Sequence, residues 1–132
     1  MKITADTNIL VRAITGDHAA QSRRARAELA AAEMVAVPVP VLCELAWVLA
    51  RGCRIGMPEI AAVIRRLMEA DNVALDHAAV AAGLAVLEAG GDFADGAIAH
   101  EGRVLGGAEF VSFDRAAMRL LAAGGVPARL PR

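Results

Sequence analysis

Four short apolar runs, each followed by a helix-length stretch, constrain this chain more than any other feature. They fall at residues 2–5, 34–37, 73–75 and 109–112. Connections that long return the chain across a sheet, so successive strands run parallel. Runs without polar alternation read as strands covered on both faces. The expected class is therefore α/β: a mostly parallel, short-stranded sheet with helices on either side. Helices are expected over residues 8–14, broken by Gly16, and over 21–32. The next runs over 41–50, with Pro40 in its first turn and an end near Gly52. Another opens at Pro58 and is apolar at Ile60, Val63, Ile64 and Leu67, a helical spacing. Three more follow: from Asp76 to Gly90-Gly91, over 93–101 with Gly102 as its stop, and from Asp114 to Leu121. No linker, repeat or charge block interrupts the series, so residues 1–132 are expected to form a single domain.

Composition removes several classes. The chain is 57% hydrophobic and carries 31 alanines, so its core must be built from many small, helix-compatible side chains. No apolar run approaches the ~18 residues of a membrane span, and no secretory leader opens the chain. Cys43 and Cys53 fit a reduced, cytoplasmic protein better than a disulfide framework. Net charge is −1, and the thirteen arginines against a single lysine, Lys2, follow base composition as readily as phosphate recognition.

The chemistry lies with the acids. Glu44 is the only charged residue between Met34 and Ala50. A helix apolar all round is a buried one, so Glu44 is expected to face the interior or a cleft, either paired with Arg12 or serving a ligand or catalytic role. Asp6 and Asp114 follow the first and last strands, where each can cap a helix or face the ligand-binding edge of a parallel sheet. Asp92 and Asp95, three residues apart at a helix start, fit an N-cap and a first-turn acid. Capping is the preferred reading for Asp92. For Asp95 capping and ligation compete evenly, because Gly96 and Ala97 leave room for an approaching group. The four positions Asp6, Glu44, Asp95 and Asp114 all lie at strand exits or near helix starts expected to converge on one sheet edge. Carboxylates about 4 Å apart repel by roughly 4 kcal/mol per pair at an effective dielectric near 20. A cluster of that kind calls for a cation, and all-oxygen ligands select Mg²⁺ or Mn²⁺. The reaction class that follows is phosphodiester hydrolysis.

The blocks Asp6-Thr7-Asn8, the lone Glu44, the run from Asp92 to Ala99 and Ser112-Phe113-Asp114, in that order, resemble PIN-domain ribonucleases. The likeness is greatest to the VapC toxins of bacterial toxin–antitoxin pairs. The resemblance implies a PIN-like three-layer α/β/α fold with an acidic pocket at the C-terminal edge of the strands. It implies an endoribonuclease in which Asp6, Glu44, Asp95 and Asp114 are catalytic. Asp6 and Asp95 would ligate Mg²⁺ directly, with Mn²⁺ as a substitute. Asp92 would be an outer acid, and Thr7, Asn8 and Ser112 would orient the carboxylates. Ser112 stands where the family usually has threonine, which keeps the hydroxyl. The resemblance further implies a homodimer, an RNA substrate (tRNA or another structured RNA), a cognate antitoxin and inhibition of translation.

Other readings carry less. His18, His77 and His100 are too scattered for a zinc set or a catalytic triad. A receiver-like module would want a lysine near its last strand, and Lys2 is the only one. A catalytically silent PIN-like domain that only binds a partner is opposed by the intact acids. Arg12 and Arg115 are candidate phosphate contacts, with Arg51 and Arg54 near the same edge. Trp47 is expected in the core or a dimer interface, and Phe93, Phe110 and Phe113 in the core. Gly90-Gly91 and Gly106-Gly107 lack a phosphate-loop lysine and read as turns.

Overall fold

A computed structural model describes all residues, Met1–Arg132, and divides into two compact units, Met1–Asp76 and His77–Arg132. The first begins with β1 (Lys2–Thr4), α1 (Thr7–Thr15) and α2 (Ala19–Ala31), followed by β2 (Met34–Ala36). Next come α3 (Val39–Trp47), a single π-turn (Val48–Gly52), α4 (Met57–Glu69) and β3 (Val73–Ala74). The strands form a parallel sheet in the order β1-β2-β3, with Ile3 beside Val35 and Val35 beside Val73. Because the strands are parallel, the chain leaves β1 towards Asp6 and β2 towards α3 at the same edge. Leu10, Val35, Val37, Leu42, Leu45, Leu49, Ile60 and Ile64 are almost wholly buried. Gly16 closes α1 in the left-handed conformation, φ 67°, which a glycine adopts without steric cost.

The second unit contains α5 (His77–Glu88), α6 (Phe93–Val104), β4 (Phe110–Val111), α7 (Arg115–Ala123) and β5 (Ala128–Arg129). β4 and β5 pair in parallel, Phe110 opposite Ala128. Val86, Ala99 and Leu121 form a small apolar cluster, covered by Phe110, Leu120, Val126 and Ala128. No helix is long and apolar enough to cross a membrane.

The α/β class and the parallel strands agree with the sequence reading, and four differences are instructive. The helix expected through Ala50 ends at Trp47 and continues as the π-turn. α6 runs past Gly102 to Val104, because one glycine costs a helix only about 1 kcal/mol. β5 was not foreseen, since Ala128-Arg129 carries neither branching nor alternation. Phe113 is 87% exposed and Trp47 is 62% exposed, so neither is a core side chain, whereas Phe93 is buried.

Candidate functional site

In the first unit a cleft of about 470 Å³ is lined by Asp6, Thr7, Asn8, Arg12, Asp17, Glu44 and Cys53, with Val11, Val48 and Gly52 between them. Asp6 precedes α1 in extended conformation, φ −82° and ψ 161°, and its Oδ1 accepts the Thr7 backbone N–H at 2.8 Å. Only one carboxylate oxygen is engaged there. Thr7 is buried and its hydroxyl has no hydrogen-bond partner, an orphan that normally costs ~1–3 kcal/mol. Asn8 is exposed at the cleft wall.

Glu44 is exposed rather than interior, one turn before the equally exposed Trp47 on α3. Apolar composition did not make this helix buried all round; it left one uncovered face that includes both residues. Nor is Glu44 the partner of Arg12. That guanidinium donates from Nε to Gln21 at 2.7 Å and from a terminal nitrogen to both Asp17 oxygens at 3.0 and 3.1 Å. Asp17 was missed in the sequence, although the Gly16 turn that presents it was visible. The Thr15 hydroxyl, which donates to Asp17 at 2.8 Å, and the Arg12 guanidinium hold its carboxyl below the ordinary carboxylate value.

The second unit carries the other acids. Asp92 has the backbone geometry of an N-cap for α6, yet its carboxylate makes no capping hydrogen bond. The capping role expected of it is therefore absent, and the side chain is not spent on the helix. Asp95 sits in the first turn of α6, half-buried. Burial, together with the charges of Asp92 and Asp114, raises its carboxyl above the ordinary value. Asp114 does cap: its Oδ1 accepts the Ala117 N–H at 3.0 Å, while its own N–H donates to Ser112 Oγ at 3.0 Å. Ser112 thus orients Asp114 through the backbone rather than through the carboxylate. Arg115, at the start of α7, is exposed.

The room expected beside Gly96 and Ala97 is filled. Ala97 is wholly buried, and a Cβ on Gly96 would collide with the Ala82 carbonyl of α5. One turn earlier, the Phe93 ring lies against Gly83, where an added Cβ would come within 2.6 Å of it. Smallness here lets α5 and α6 approach closely and so fixes the helix that carries Asp95. His100 and Arg103 edge a separate cavity of about 440 Å³ between α5, α6 and α7, whose lining includes none of the acids.

No three His, Cys, Asp or Glu side chains stand close enough together to form a closed metal cage. The donors available in both units are nevertheless carboxylate and hydroxyl oxygens, the set that suits a hard divalent cation. A family model described as PIN domain matches residues 3–122. No curated protein matches the chain.

Proposed function

Because the chain belongs to the PIN domain family, whose members are generally nucleases acting on RNA or other nucleic acid, we propose that it is a divalent-metal-dependent endoribonuclease. In this reading residues 1–132 act as one domain, and Asp6, Glu44, Asp95 and Asp114 are the catalytic acids. Asp6 and Asp95 are the direct ligands of Mg²⁺ or Mn²⁺, and Asp92 is an outer acid. The observation that carries the reading is the state of Asp95, whose charge is disfavoured first by burial and then by repulsion from Asp92 and Asp114. A hard cation relieves that repulsion. The orphaned Thr7 hydroxyl beside Asp6 fits the same expectation, since a cation's water or a substrate oxygen would satisfy it.

The bound ion would supply a more acidic water and a clamp on the phosphate oxygens. The chain's own residues then have separate tasks. Asp92 keeps its carboxylate free of the helix end. Asp114 divides its oxygens between capping α7 and catalysis. Asn8, exposed in the cleft, offers an amide to substrate or to the acids.

The order of the blocks supports a narrower reading, a VapC-type toxin that acts in the cytoplasm as a homodimer, cuts tRNA or another structured RNA to inhibit translation, and is silenced by a cognate antitoxin. The deciding experiment is Mn²⁺ titration by calorimetry on the intact protein and on Asp6→Asn, alongside cleavage of labelled RNA with and without EDTA. Saturable binding removed by the substitution, with EDTA-sensitive cleavage, supports the nuclease. A flat titration that stays flat in the presence of a non-cleavable RNA overturns it in favour of a partner-binding domain. Growth arrest on expression, relieved by Asp6→Asn, separates a toxin from a housekeeping nuclease.

A further inference from the structure

The segment after α3 is the most unusual stretch of backbone in the molecule. The π-turn Val48–Gly52 is closed by the Cys53 N–H on the Val48 carbonyl at 3.0 Å, and the Ile55 N–H reaches back to the Leu49 carbonyl at 2.9 Å. Between these two bonds stands Arg54 at φ 55°, the only residue other than glycine in the left-handed region. An arginine gains nothing locally from that conformation, and π-turns and strained residues gather at functional sites. Gly52 and Cys53 line the acidic cleft, and they are flanked in sequence by Arg51 and Arg54, both exposed. Within the cleft Arg12 and Asp17 neutralise each other, so Asp6 and Glu44 are left uncompensated. A polyanion would be repelled from such a cleft unless positive charge stood at its rim.

We propose that Arg51 and Arg54, held by the π-turn and the left-handed kink, form a clamp for the phosphate backbone of a single-stranded nucleic acid at the mouth of this cleft. The assignment rests on the nuclease reading above and adds the residues that bring the substrate to it. Two guanidiniums match the two uncompensated carboxylates in number, and guanidinium is the side chain best shaped for phosphate oxygens. The strain then has a purpose: glycine would relax it, but glycine carries no charge.

The test uses the full chain, a fluorescein-labelled single-stranded RNA, and Ca²⁺ in place of Mg²⁺, with gels showing that the RNA remains uncut. Affinity is read by anisotropy across a salt series. The double variant Arg51→Ala/Arg54→Gly is expected to bind at least about tenfold more weakly at low salt. Its slope of log affinity against log salt should be shallower by about 1.4, since each lost phosphate contact on a single strand removes ~0.7. Arg54→Gly alone should melt at or above the wild-type temperature, because the kink is no longer strained. Arg54→Lys, which keeps the charge, should recover most of the binding. Unchanged affinity and slope in the double variant, with wild-type protein still cutting RNA, would overturn the clamp and leave the nuclease reading intact. A lower melting temperature for Arg54→Gly would make the residue structural and also overturn it. Wild-type protein that ignores RNA but binds an acidic peptide would sink the clamp and the nuclease reading together.

Discussion

The two acid-bearing regions solve the problem of placing carboxylates in opposite ways. In the first unit the acids lie in an open cleft, and one of them, Asp17, is neutralised on the spot by Arg12 and the Thr15 hydroxyl. In the second, Asp95 is half-buried, and burial together with the charges of Asp92 and Asp114 disfavours its charged form. The first arrangement is electrostatically relaxed; the second stores repulsion and relies on tight helix packing to hold it. Two regions that differ in this way should respond asymmetrically to substitution. Activity would be lost from either side, whereas stability would change mainly on the tense side.

The largest effect expected is on turnover. Asp6→Asn and Asp95→Asn should each reduce RNA cleavage by about 10²–10⁴-fold, the range a single catalytic group contributes, with far-ultraviolet circular dichroism unchanged. Cleavage surviving in one of the two would break the symmetry in function that the comparison assumes. Next comes the packing that supports the tense side. Gly96→Ala must push α6 away from the Ala82 carbonyl and should cost about 2–3 kcal/mol in urea denaturation. A neutral result would mean that the close approach of α5 and α6 is not what holds Asp95.

Capping separates acids that look alike in sequence. Asp114→Ala should cost about 1 kcal/mol through loss of its bond to the Ala117 N–H, whereas Asp92→Ala should change stability by less than about 0.5 kcal/mol. Equal losses in the two variants would show that Asp92 caps α6 in solution. The smallest effect is the sharpest in sign. The native value of Asp95 is raised above its ordinary 3.8, so its cost to folding is full above the native value and absent below 3.8. Asp95→Asn should therefore stabilise the metal-free protein near neutral pH, read as a higher denaturation midpoint than wild type. The gain should fade as pH drops towards 3.8. Asp6→Asn, which keeps an oxygen for the Thr7 N–H, should show no comparable gain.

Much of this was legible in the residues. The strand–helix alternation, the left-handed stop at Gly16, and the placing of Asp6 and Asp114 at helix starts follow from local rules that act over a few residues. Less legible was which face each helix covers. Glu44 and Trp47 lie on an apolar helix and are exposed all the same, because composition measures how much a helix can bury and not which neighbour arrives to cover it. Gly96 misled for a related reason: a missing side chain leaves space, and only the packing of α5 shows what occupies it.

The sequence by itself determined the α/β class, the family blocks and the identity of the acids, since these depend on periodicity, turn chemistry and residue type. Tertiary structure decided the states of those acids: that Arg12 serves Asp17 rather than Glu44, that Asp92 is left free while Asp114 is half spent, and that Asp95 is raised by burial and by its neighbours. The reason is that hydrogen bonding, burial and Coulomb interactions depend on where side chains point in space, even between residues as near in sequence as Arg12 and Asp17, and residue type and spacing alone do not fix that.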